Sequence, residues 1–256
     1  MDAVTDFALV TGAGSGIGAA LAVELATRGV GVILVGRRRE ALHQTRASLP
    51  AGVPAFVAPV DIAEATDREG LVQSVMQRLE MHGQRLRYLV HNAGIGKPAA
   101  GFEAMEPDDL TQALAVNVTA PLALTQQFMP ALRQAEDARV LFVGAGIADR
   151  PQPGTGSYGI SKKALARLFD QLQADFAWAE ADDWPALALF QPGLVDTAGL
   201  QDHLAAARSC GLPHTGYLDH ALASGQARAP ETVARAMADA LIAMPVTDFS
   251  GATLRP

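Results

Sequence analysis

The amino-acid sequence predicts an α/β fold in which a doubly wound parallel sheet of about seven strands carries helices on both faces, in a single domain over residues 1–256. Three observations support this prediction. Short apolar runs alternate with segments of helical periodicity, no hairpin signal joins two neighbouring runs, and a glycine-rich loop follows the first run. With 256 residues, 49% of them hydrophobic, the chain can build one sizeable core.

The first unit is a strand, a glycine loop and a helix. Residues 7–11 (FALVT) are apolar without helical period and predict a buried strand, whereas the Ala- and Leu-rich segment up to Arg28 predicts a helix. Glycines allow a sharp turn and the close approach of a pyrophosphate, and a helix N-terminus offers free N–H groups and a positive dipole end. The loop, spaced Gly-x-x-x-Gly-x-Gly, therefore predicts a dinucleotide phosphate site, with a turn that binds no ligand as the alternative. Its candidate residues are Gly12, Ser15, Gly16, Ile17 and Gly18.

Arginines follow the second predicted strand, residues 32–35 (VILV). In NAD-binding folds of this type, an acidic side chain in this neighbourhood accepts the ribose hydroxyls, but here Arg37, Arg38 and Arg39 open a helix that ends near Pro50. Arginines at a helix N-terminus oppose the macrodipole unless they meet an anion, and guanidinium groups suit a 2′-phosphate. The sequence thus predicts a preference for NADPH, with Arg37 as first candidate and Arg38 as second. The alternative is a solvated helix start.

Two further strands end in polar residues. Residues 55–60 predict the third strand, residues 64–82 a helix, and residues 86–90 the fourth strand. Asp61 and Ile62 follow the third strand, where an acid can accept a hydrogen bond from an adenine amine, and His91-Asn92-Ala93-Gly94 ends the fourth. Ligands of such sheets bind outside the carboxyl ends of the strands. These residues are therefore expected to lie at the same edge as Gly12.

Residues 140–143 (VLFV) predict the fifth strand. The segment that follows this strand contains Tyr158 and Lys162. The two lie four residues apart at the head of a predicted helix, about one turn, so their side chains share a face. A phenol has a pKa of about 10, and a nearby ammonium group favours its phenolate. Tyr158 is therefore a candidate proton donor and acceptor. The alternative is an ordinary helix start with one packed aromatic ring and one solvated lysine.

Taken together, these motifs resemble those of the short-chain dehydrogenase/reductase family. The Thr-Gly-x-x-x-Gly-x-Gly loop, Asp61, Asn92-Ala93-Gly94, Asn117, Tyr158-x-x-x-Lys162 and Pro192-Gly193 stand in the order of that family over residues 7–197. The resemblance implies a Rossmann fold and an NADPH-dependent carbonyl reductase or alcohol dehydrogenase that transfers hydride to a small ketone or dicarbonyl.

The resemblance also implies residue roles. Tyr158 would donate the proton, Lys162 would bind the nicotinamide ribose and acidify Tyr158, and Asn117 would distort a helix and hold a water in the proton relay. Tyr158 and Lys162 would also belong to the cofactor-binding set. Further cofactor-binding residues would be Asn92, Ala93 and Gly94 on the adenosine side and Pro192, Gly193, Val195 and Thr197 on the nicotinamide and pyrophosphate side. His91, where the family usually has another asparagine, is interpreted as a packed strand-end residue.

One position departs from the family. The catalytic serine expected just after the fifth strand is Ala145 here. That serine donates a hydrogen bond to the substrate oxygen, and the loss of one such donor costs about 10²- to 10³-fold in rate. Ser157 is interpreted as a helix N-cap, which leaves Thr155 or a substrate hydroxyl as replacements. The alternative function is therefore a catalytically weak NADPH-binding sensor or partner-binding protein. An unrelated phosphate-binding α/β domain is a third possibility.

A long connection follows the Pro-Gly motif. Residues 198–229 exceed a plain connection in length, and in this family they would form a substrate cap, although an amphipathic surface helix fits the pattern equally well. The sequences PGLVDTAGLQ at 192–201 and TDFSG at 247–251 resemble the sepiapterin reductase and benzil reductase branch, whose substrates are vicinal dicarbonyls.

Composition bounds the partners and the compartment. The net charge of -7 argues against a nucleic-acid partner or a membrane surface, and no apolar run reaches the length of a membrane span. The single cysteine, Cys210, cannot close an intrachain disulfide, and no Cys/His cluster has zinc spacing, so we expect a cytoplasmic protein without a metal. The resemblance implies a homodimer or homotetramer assembled through the helices that carry Asn117 and Tyr158. Phe128, Met129, Phe169 and Leu172 would serve that interface or the core.

Overall fold

The computed structural model describes residues 5–96, 99–179 and 181–256. Its strands are β1 (Asp6–Thr11), β2 (Gly31–Gly36), β3 (Ala55–Pro59), β4 (Arg85–His91), β5 (Arg139–Val143), β6 (Ala186–Phe190) and β7 (Thr253–Leu254). They form one sheet in the order β3-β2-β1-β4-β5-β6-β7, and every neighbouring pair is parallel. The predicted parallel α/β sheet is confirmed.

The helices follow the strands. They are α1 (Gly16–Thr27), α2 (Arg39–Ala47), α3 (Ala65–Met81), α4 (Pro107–Leu114), α5 (Ala120–Leu132), α6 (Gly156–Ala179), α7 (Ala198–Ser209), α8 (Thr215–Ala223), α9 (Pro230–Ile242) and α10 (Val246–Phe249). A π-helical turn, Ala115–Thr119, joins α4 to α5. The long connection at residues 198–229 thus contains two helices, α7 and α8. Within the described residues, no helix is long and apolar enough to cross a membrane.

Both faces of the sheet are buried. Along β1, Phe7 and Leu9 belong to the cluster formed with α3, α5 and α6, whereas Ala8 and Val10 belong to the cluster formed with α1, α2 and α9. This alternation follows from the two-residue period of a strand, and it explains why the central positions of β1, residues 7–10, are all apolar. Three residues considered for either interface or core, Phe128, Phe169 and Leu172, are at most 8% exposed and lie in the first cluster.

The strand order positions the candidate site. β1 pairs with β2 on one side and with β4 on the other. The connection from β1 to β2 therefore runs toward one edge of the sheet, and the connection from β4 to β5 runs toward the other edge. In an open α/β sheet, this switch point leaves a crevice at the carboxyl edge. The glycine loop after β1 and the Asn92 segment after β4 therefore meet there.

Candidate active site

The glycine loop packs directly on the segment after β4. Gly12 has φ +71°, a left-handed conformation that favours glycine, and a Cβ there would lie 2.9 Å from the Nδ2 atom of Asn92 and 2.9 Å from the Cα atom of Ala93. A Cβ on Gly18 would lie 2.4 Å from the same Asn92 nitrogen. Any larger side chain at these two positions would separate the loop from β4.

A hydrogen-bond network at Thr11 holds the ends of β1 and β4 together. The Thr11 hydroxyl donates to the carbonyl of Val90 at 3.1 Å and accepts from the backbone N–H groups of Asn92 at 3.0 Å and Ala93 at 3.1 Å. The Asn92 side chain donates in turn to the carbonyl of Thr11 at 2.9 Å. Asn92 thus fixes the geometry of the crevice floor through protein contacts.

The N-terminus of α1 opens toward the same edge. Ser15 is its N-cap residue but makes no side-chain capping bond, and the first turn contains no acidic residue. Its unsatisfied N–H groups and positive dipole end are suited to an anion. Thr197 closes the other side, because a Cβ on Gly16 would lie 3.2 Å from its Cγ2 atom. The loop is therefore a cradle that side chains would fill, and it fits a dinucleotide phosphate.

The two arginines before α2 have different partners. Arg38 donates from Nη2 to the Ser15 hydroxyl oxygen at 3.1 Å, whereas Arg37 lies 3.9 Å from the Asp61 carboxylate with 58% of its side chain exposed. The helix begins only at Arg39, so Arg37 and Arg38 precede it and the predicted opposition to its dipole is reduced. Arg38, ranked second from the sequence, is the arginine that contacts the glycine loop.

The residues after β3, Asp61 and Ile62, make contacts within the protein itself. One Asp61 oxygen accepts from the backbone N–H of Ala63 at 3.0 Å, and the other carboxylate oxygen lies near Arg37. The side chain of Ile62 is only 7% exposed and belongs to the core. Ile62 can therefore offer a ligand little more than its backbone.

Lys162 is buried beneath the candidate proton donor. It is 2% exposed, its Nζ donates to the carbonyl of Val143 at 2.8 Å, and it lies 5.7 Å from the centre of the Tyr158 ring. Burial lowers the pKa of Lys162 to about 8 and raises the pKa of the half-buried Tyr158 to about 12. The predicted acidification of Tyr158 is therefore wrong for this structure, because desolvation of the phenolate determines its pKa.

The segment after Asn92 passes over both side chains. A Cβ on Gly96 would lie 2.6 Å from the Cγ and Cδ2 atoms of Tyr158, and a Cβ on Gly94 would lie 3.2 Å from the Nζ of Lys162. The backbone of residues 94–96 therefore packs on the tyrosine ring and the lysine ammonium at once. Gly96 was not singled out from the sequence, although its position two residues beyond Asn-Ala-Gly was a signal.

Asn117 joins this segment to α6. Its Nδ2 donates to the carbonyl of Ile95 and to the hydroxyl of Ser161, both at 2.8 Å, and its Oδ1 accepts from the N–H of Ile95 at 2.9 Å. Ser161 donates to the backbone carbonyl of Tyr158 at 2.9 Å. This network links the π turn, the residue 94–96 segment and the helix of Tyr158. Sequence reasoning missed Ser161, since a serine one turn along a helix carries no distinctive signal.

The helix distortion expected at Asn117 is confirmed. Asn117 is fully buried in the π turn that joins α4 to α5. Both hydrogens of its Nδ2 are used by protein oxygens. A water in a proton relay could not accept a hydrogen bond from this Nδ2 group. The presence of such a water stays a prediction.

The two nearby hydroxyls, those of Thr155 and Ser157, are both buried and poorly placed to replace the serine missing at Ala145. The Thr155 hydroxyl donates to the carbonyl of Gln152 at 2.8 Å, and Thr155 is 8% exposed. Ser157 is 3% exposed and lies in the first turn of α6, which begins at Gly156. The predicted N-cap role of Ser157 is therefore wrong, because the helix begins one residue before it.

His91 is a packed residue, as predicted. Its Nε2 lies 2.8 Å from the hydroxyl of Thr125, and that hydroxyl donates its only proton to the carbonyl of Pro121 at 2.8 Å. His91 must therefore donate from Nε2. Its ring lies 5.0 Å from that of Phe142, and burial lowers its pKa to about 3, so it is neutral at physiological pH.

The segment after β6 brings an unpredicted arginine to the site. Gly193 has φ +74°, and a Cβ there would lie 2.8 Å from the Nη1 atom of Arg228. Arg228 pairs with this segment through backbone bonds, donating to the carbonyl of Leu194 and accepting from the N–H of Asp196, both at 2.9 Å. Val195 between them is 6% exposed and belongs to the core, and Pro192 is also buried. No spacing in the sequence connects Arg228 with Gly193.

Comparisons with known proteins agree with this geometry. A family model described as short chain dehydrogenase matches residues 6–207. A dehydrogenase/reductase SDR family protein 7-like from Anopheles gambiae is 30% identical over 74% of this chain, but the match spans only 59% of that protein's length. A sulfoacetaldehyde reductase from Chromohalobacter salexigens is 29% identical, covering 77% of this chain and 78% of that protein. A short chain dehydrogenase from Burkholderia cenocepacia, solved in complex with NADP, is 27% identical with a TM-score of 0.79, over 98% of this chain and 95% of that one.

Proposed function

Because the chain belongs to the short-chain dehydrogenase family, we propose that it is an NADPH-dependent oxidoreductase that interconverts a small ketone or dicarbonyl and the corresponding alcohol. One observation carries this proposal. Tyr158 and Lys162 share one face of α6, and the residue 94–96 segment holds both beside the glycine loop. A binding protein has no need for a buried lysine and a buried asparagine arranged around a tyrosine.

The chain's own residues divide the cofactor into three regions. The glycine loop and the N-terminus of α1 would hold the pyrophosphate, Asn92–Gly94 and Asp61 would line the adenosine, and Pro192–Thr197 would flank the nicotinamide. The bound cofactor would supply the hydride. Lys162, with a pKa of about 8, carries a positive charge at neutral pH and would bind ribose hydroxyls.

Tyr158 would supply the proton. With a pKa of about 12 its hydroxyl is protonated at neutral pH, so it can donate to a carbonyl oxygen during reduction. Gly96 and Ser161 would position the ring and the helix that carry this hydroxyl. Positioning of this kind supplies a large part of the rate enhancement in such a site.

The preference for NADPH rests on Arg38. Its guanidinium lies against Ser15 at the mouth of the glycine loop, where the adenosine ribose of a dinucleotide would end. A 2′-phosphate would accept from this group, and Arg37 would contribute the second charge. The Burkholderia relative solved in complex with NADP supports this assignment.

We further propose that α7 and α8 form the substrate cap and that the substrate is a vicinal dicarbonyl. Thr197 accepts from the N–H of Leu200 and so starts α7 beside the cofactor edge. The Leu212 side chain packs against Gly154, and the Cys210 thiol lies 3.4 Å from the carbonyl of Ala99. The cap therefore contacts two segments, one at Ala99 before α4 and one at Gly154 just before α6, the helix that carries Tyr158.

A homodimer or homotetramer, assembled through α4, α5 and α6, is the proposed assembly. Met129 on α5 is half-buried, whereas Phe102 before α4 is 90% exposed and offers an apolar contact. Light scattering tests this directly, and a monomer mass would contradict it.

A second function is favoured by Ala145. Without a hydroxyl at this position, the protein would be an NADPH sensor with little turnover. The deciding experiment is NADPH oxidation against a carbonyl panel weighted toward 1,2-diketones, for the natural protein, Ala145→Ser and the control Ala148→Ser.

If the natural protein turns over substrate and only Ala145→Ser raises that turnover, the result supports the reductase. The ratio of the two rates then gives the contribution of the missing hydrogen-bond donor. Turnover only in Ala145→Ser would mean an intact scaffold that lacks one donor. Tight NADPH binding without turnover in any of the three proteins would favour the sensor.

A further inference from the structure

A cleft of about 370 Å³ lies beside the candidate active site, at the carboxyl ends of β5 and β6. Gly146, which follows Ala145, and Gly193, which lies shortly after β6, line the cleft. Gln191 and three arginines, Arg150, Arg228 and Arg255, form its walls. The cleft therefore adjoins the position of the missing serine, Ala145, and holds three positive charges.

The three arginines of the cleft carry more charge than its one lining side-chain carboxylate, Asp149, can neutralise. Among the described residues, Arg150 and Arg228 have no ion pair, and Arg255 donates only to the neutral side-chain oxygen of Gln191, at 3.1 and 3.2 Å. Asp149 also lines the cleft, but it accepts from Lys163 at 2.6 Å. In a protein with a net charge of -7, this is a local excess of positive charge.

The backbone of Arg228 is held in place beside Gly193, another residue that lines this cleft. Two backbone hydrogen bonds to residues 194 and 196 fix its position along the chain, and its Nη1 rests against the α-carbon side of Gly193. Glycine at 193 leaves the room that the guanidinium occupies. The backbone of Arg228 is thus fixed beside Gly193, and its exposed guanidinium can receive a ligand.

We propose that the substrate is an anionic carbonyl compound, an oxo acid whose carboxylate or similar oxyanion binds Arg228 with help from Arg150. This inference rests on the proposed function and names its substrate class. A guanidinium offers two parallel N–H donors that match a carboxylate, and those of Arg150 and Arg228 are accessible to a ligand because both residues are exposed. The same contact orients the neighbouring carbonyl toward Tyr158.

The test compares a matched pair of substrates, phenylglyoxylate and its methyl ester, which differ in the negative charge. We expect the natural protein to reduce the acid with a kcat/KM at least about 10-fold above that of the ester, the size of one charged hydrogen bond. Arg228→Gln should lower kcat/KM for the acid by about 10-fold or more and leave the ester within about twofold. Arg150→Gln should act in the same direction but less, and Arg235→Gln, an exposed arginine on α9, should change neither.

Three results would overturn the inference. One is equal kcat/KM for acid and ester, and another is an equal loss for both in Arg228→Gln. The third is a raised Kd for NADPH in Arg228→Gln, measured by fluorescence, which would assign the guanidinium to a cofactor phosphate.

Failure of the proposed function gives a different pattern. If neither compound is reduced, calorimetric titration of phenylglyoxylate into the NADP⁺-loaded protein still tests the anion site. Binding that Arg228→Gln weakens and Arg235→Gln retains supports the site without turnover. Absence of binding to the natural protein would overturn it.

Discussion

Lys162 donates a 2.8 Å hydrogen bond from its Nζ to the carbonyl oxygen of Val143, the last residue of β5. This bond anchors a buried ammonium group to the sheet at the point where the strand ends. Because burial lowers the pKa of this lysine to about 8, its charge is lost within an experimentally accessible pH range. The catalytic state of the site should therefore be readable from a pH profile.

The first prediction concerns that profile. We expect kcat/KM for carbonyl reduction to fall as pH rises through about 8, because Lys162 loses its proton there while Tyr158, with a pKa of about 12, keeps its own. Lys162→Met should lower kcat and remove this limb. Lys163→Met, the exposed neighbour paired with Asp149, is the matched control and should keep it. A natural-protein profile that stays flat to pH 10 would refute the assignment.

The second prediction concerns the proton donor. Tyr158→Phe removes the hydroxyl and keeps the ring, so kcat should fall by about 10²- to 10⁴-fold, the range of general acid catalysis. The Kd for NADPH should stay within about twofold, since the ring still packs on Gly96. Tyr88→Phe, at a core tyrosine in the middle of β4 that is 2% exposed, should leave turnover unchanged. An unchanged turnover number in Tyr158→Phe would remove Tyr158 from the mechanism.

The third prediction concerns Gly96. Gly96→Ala places a methyl group 2.6 Å from the Tyr158 ring, and the ring must move because its near atoms, not a flexible tip, are contacted. A displacement of about 1 Å can cost about 10²-fold, so we expect a loss of kcat of roughly 10- to 10²-fold with a folded protein. Gly101→Ala, in the same connection but with open space around it, is the control. Equal activity of the two variants would show that the ring position is not critical.

The fourth prediction concerns cofactor choice. Arg38→Ala should raise the Kd for NADPH by about 10-fold or more and leave that for NADH nearly unchanged, because only NADPH carries the 2′-phosphate. Arg37→Ala should act less, since Arg37 already lies near Asp61. Equilibrium titration of both cofactors measures these constants. Equal affinities of the natural protein for NADPH and NADH would contradict the prediction.

The fifth prediction concerns acid stability. His91 has a folded pKa of about 3 and an unfolded pKa of about 6.5, so between these values the unfolded chain binds one proton more. Falling pH through this window therefore destabilises the fold.

His91→Asn should reduce the loss of unfolding free energy between about pH 7.5 and about pH 4.5 by about 3 kcal/mol in urea titrations. His82→Asn, at an exposed histidine, should lose as much stability as the natural protein. An undiminished loss in His91→Asn would assign acid sensitivity to other groups.

The sequence alone predicted the features that depend on neighbouring residues in the chain. The apolar runs predicted β1 to β5 to within one or two residues, because a strand buried on both faces must be apolar along its length. The glycine loop and the spacing of Tyr158 and Lys162 were readable for the same reason, since a turn and a shared helix face are set by neighbouring residues.

Tertiary structure decided which groups meet. Arg38 and not Arg37 contacts Ser15, Lys162 bonds to Val143, and Arg228 lies on Gly193. Each of these contacts joins segments that are distant in the chain, and each depends on how the strand ends align across the sheet. Burial is likewise a property of the assembled fold, which is why the pKa of Tyr158 rises where the sequence alone predicted a fall. Local periodicity determines the elements, whereas packing determines their contacts and the electrostatics of the site.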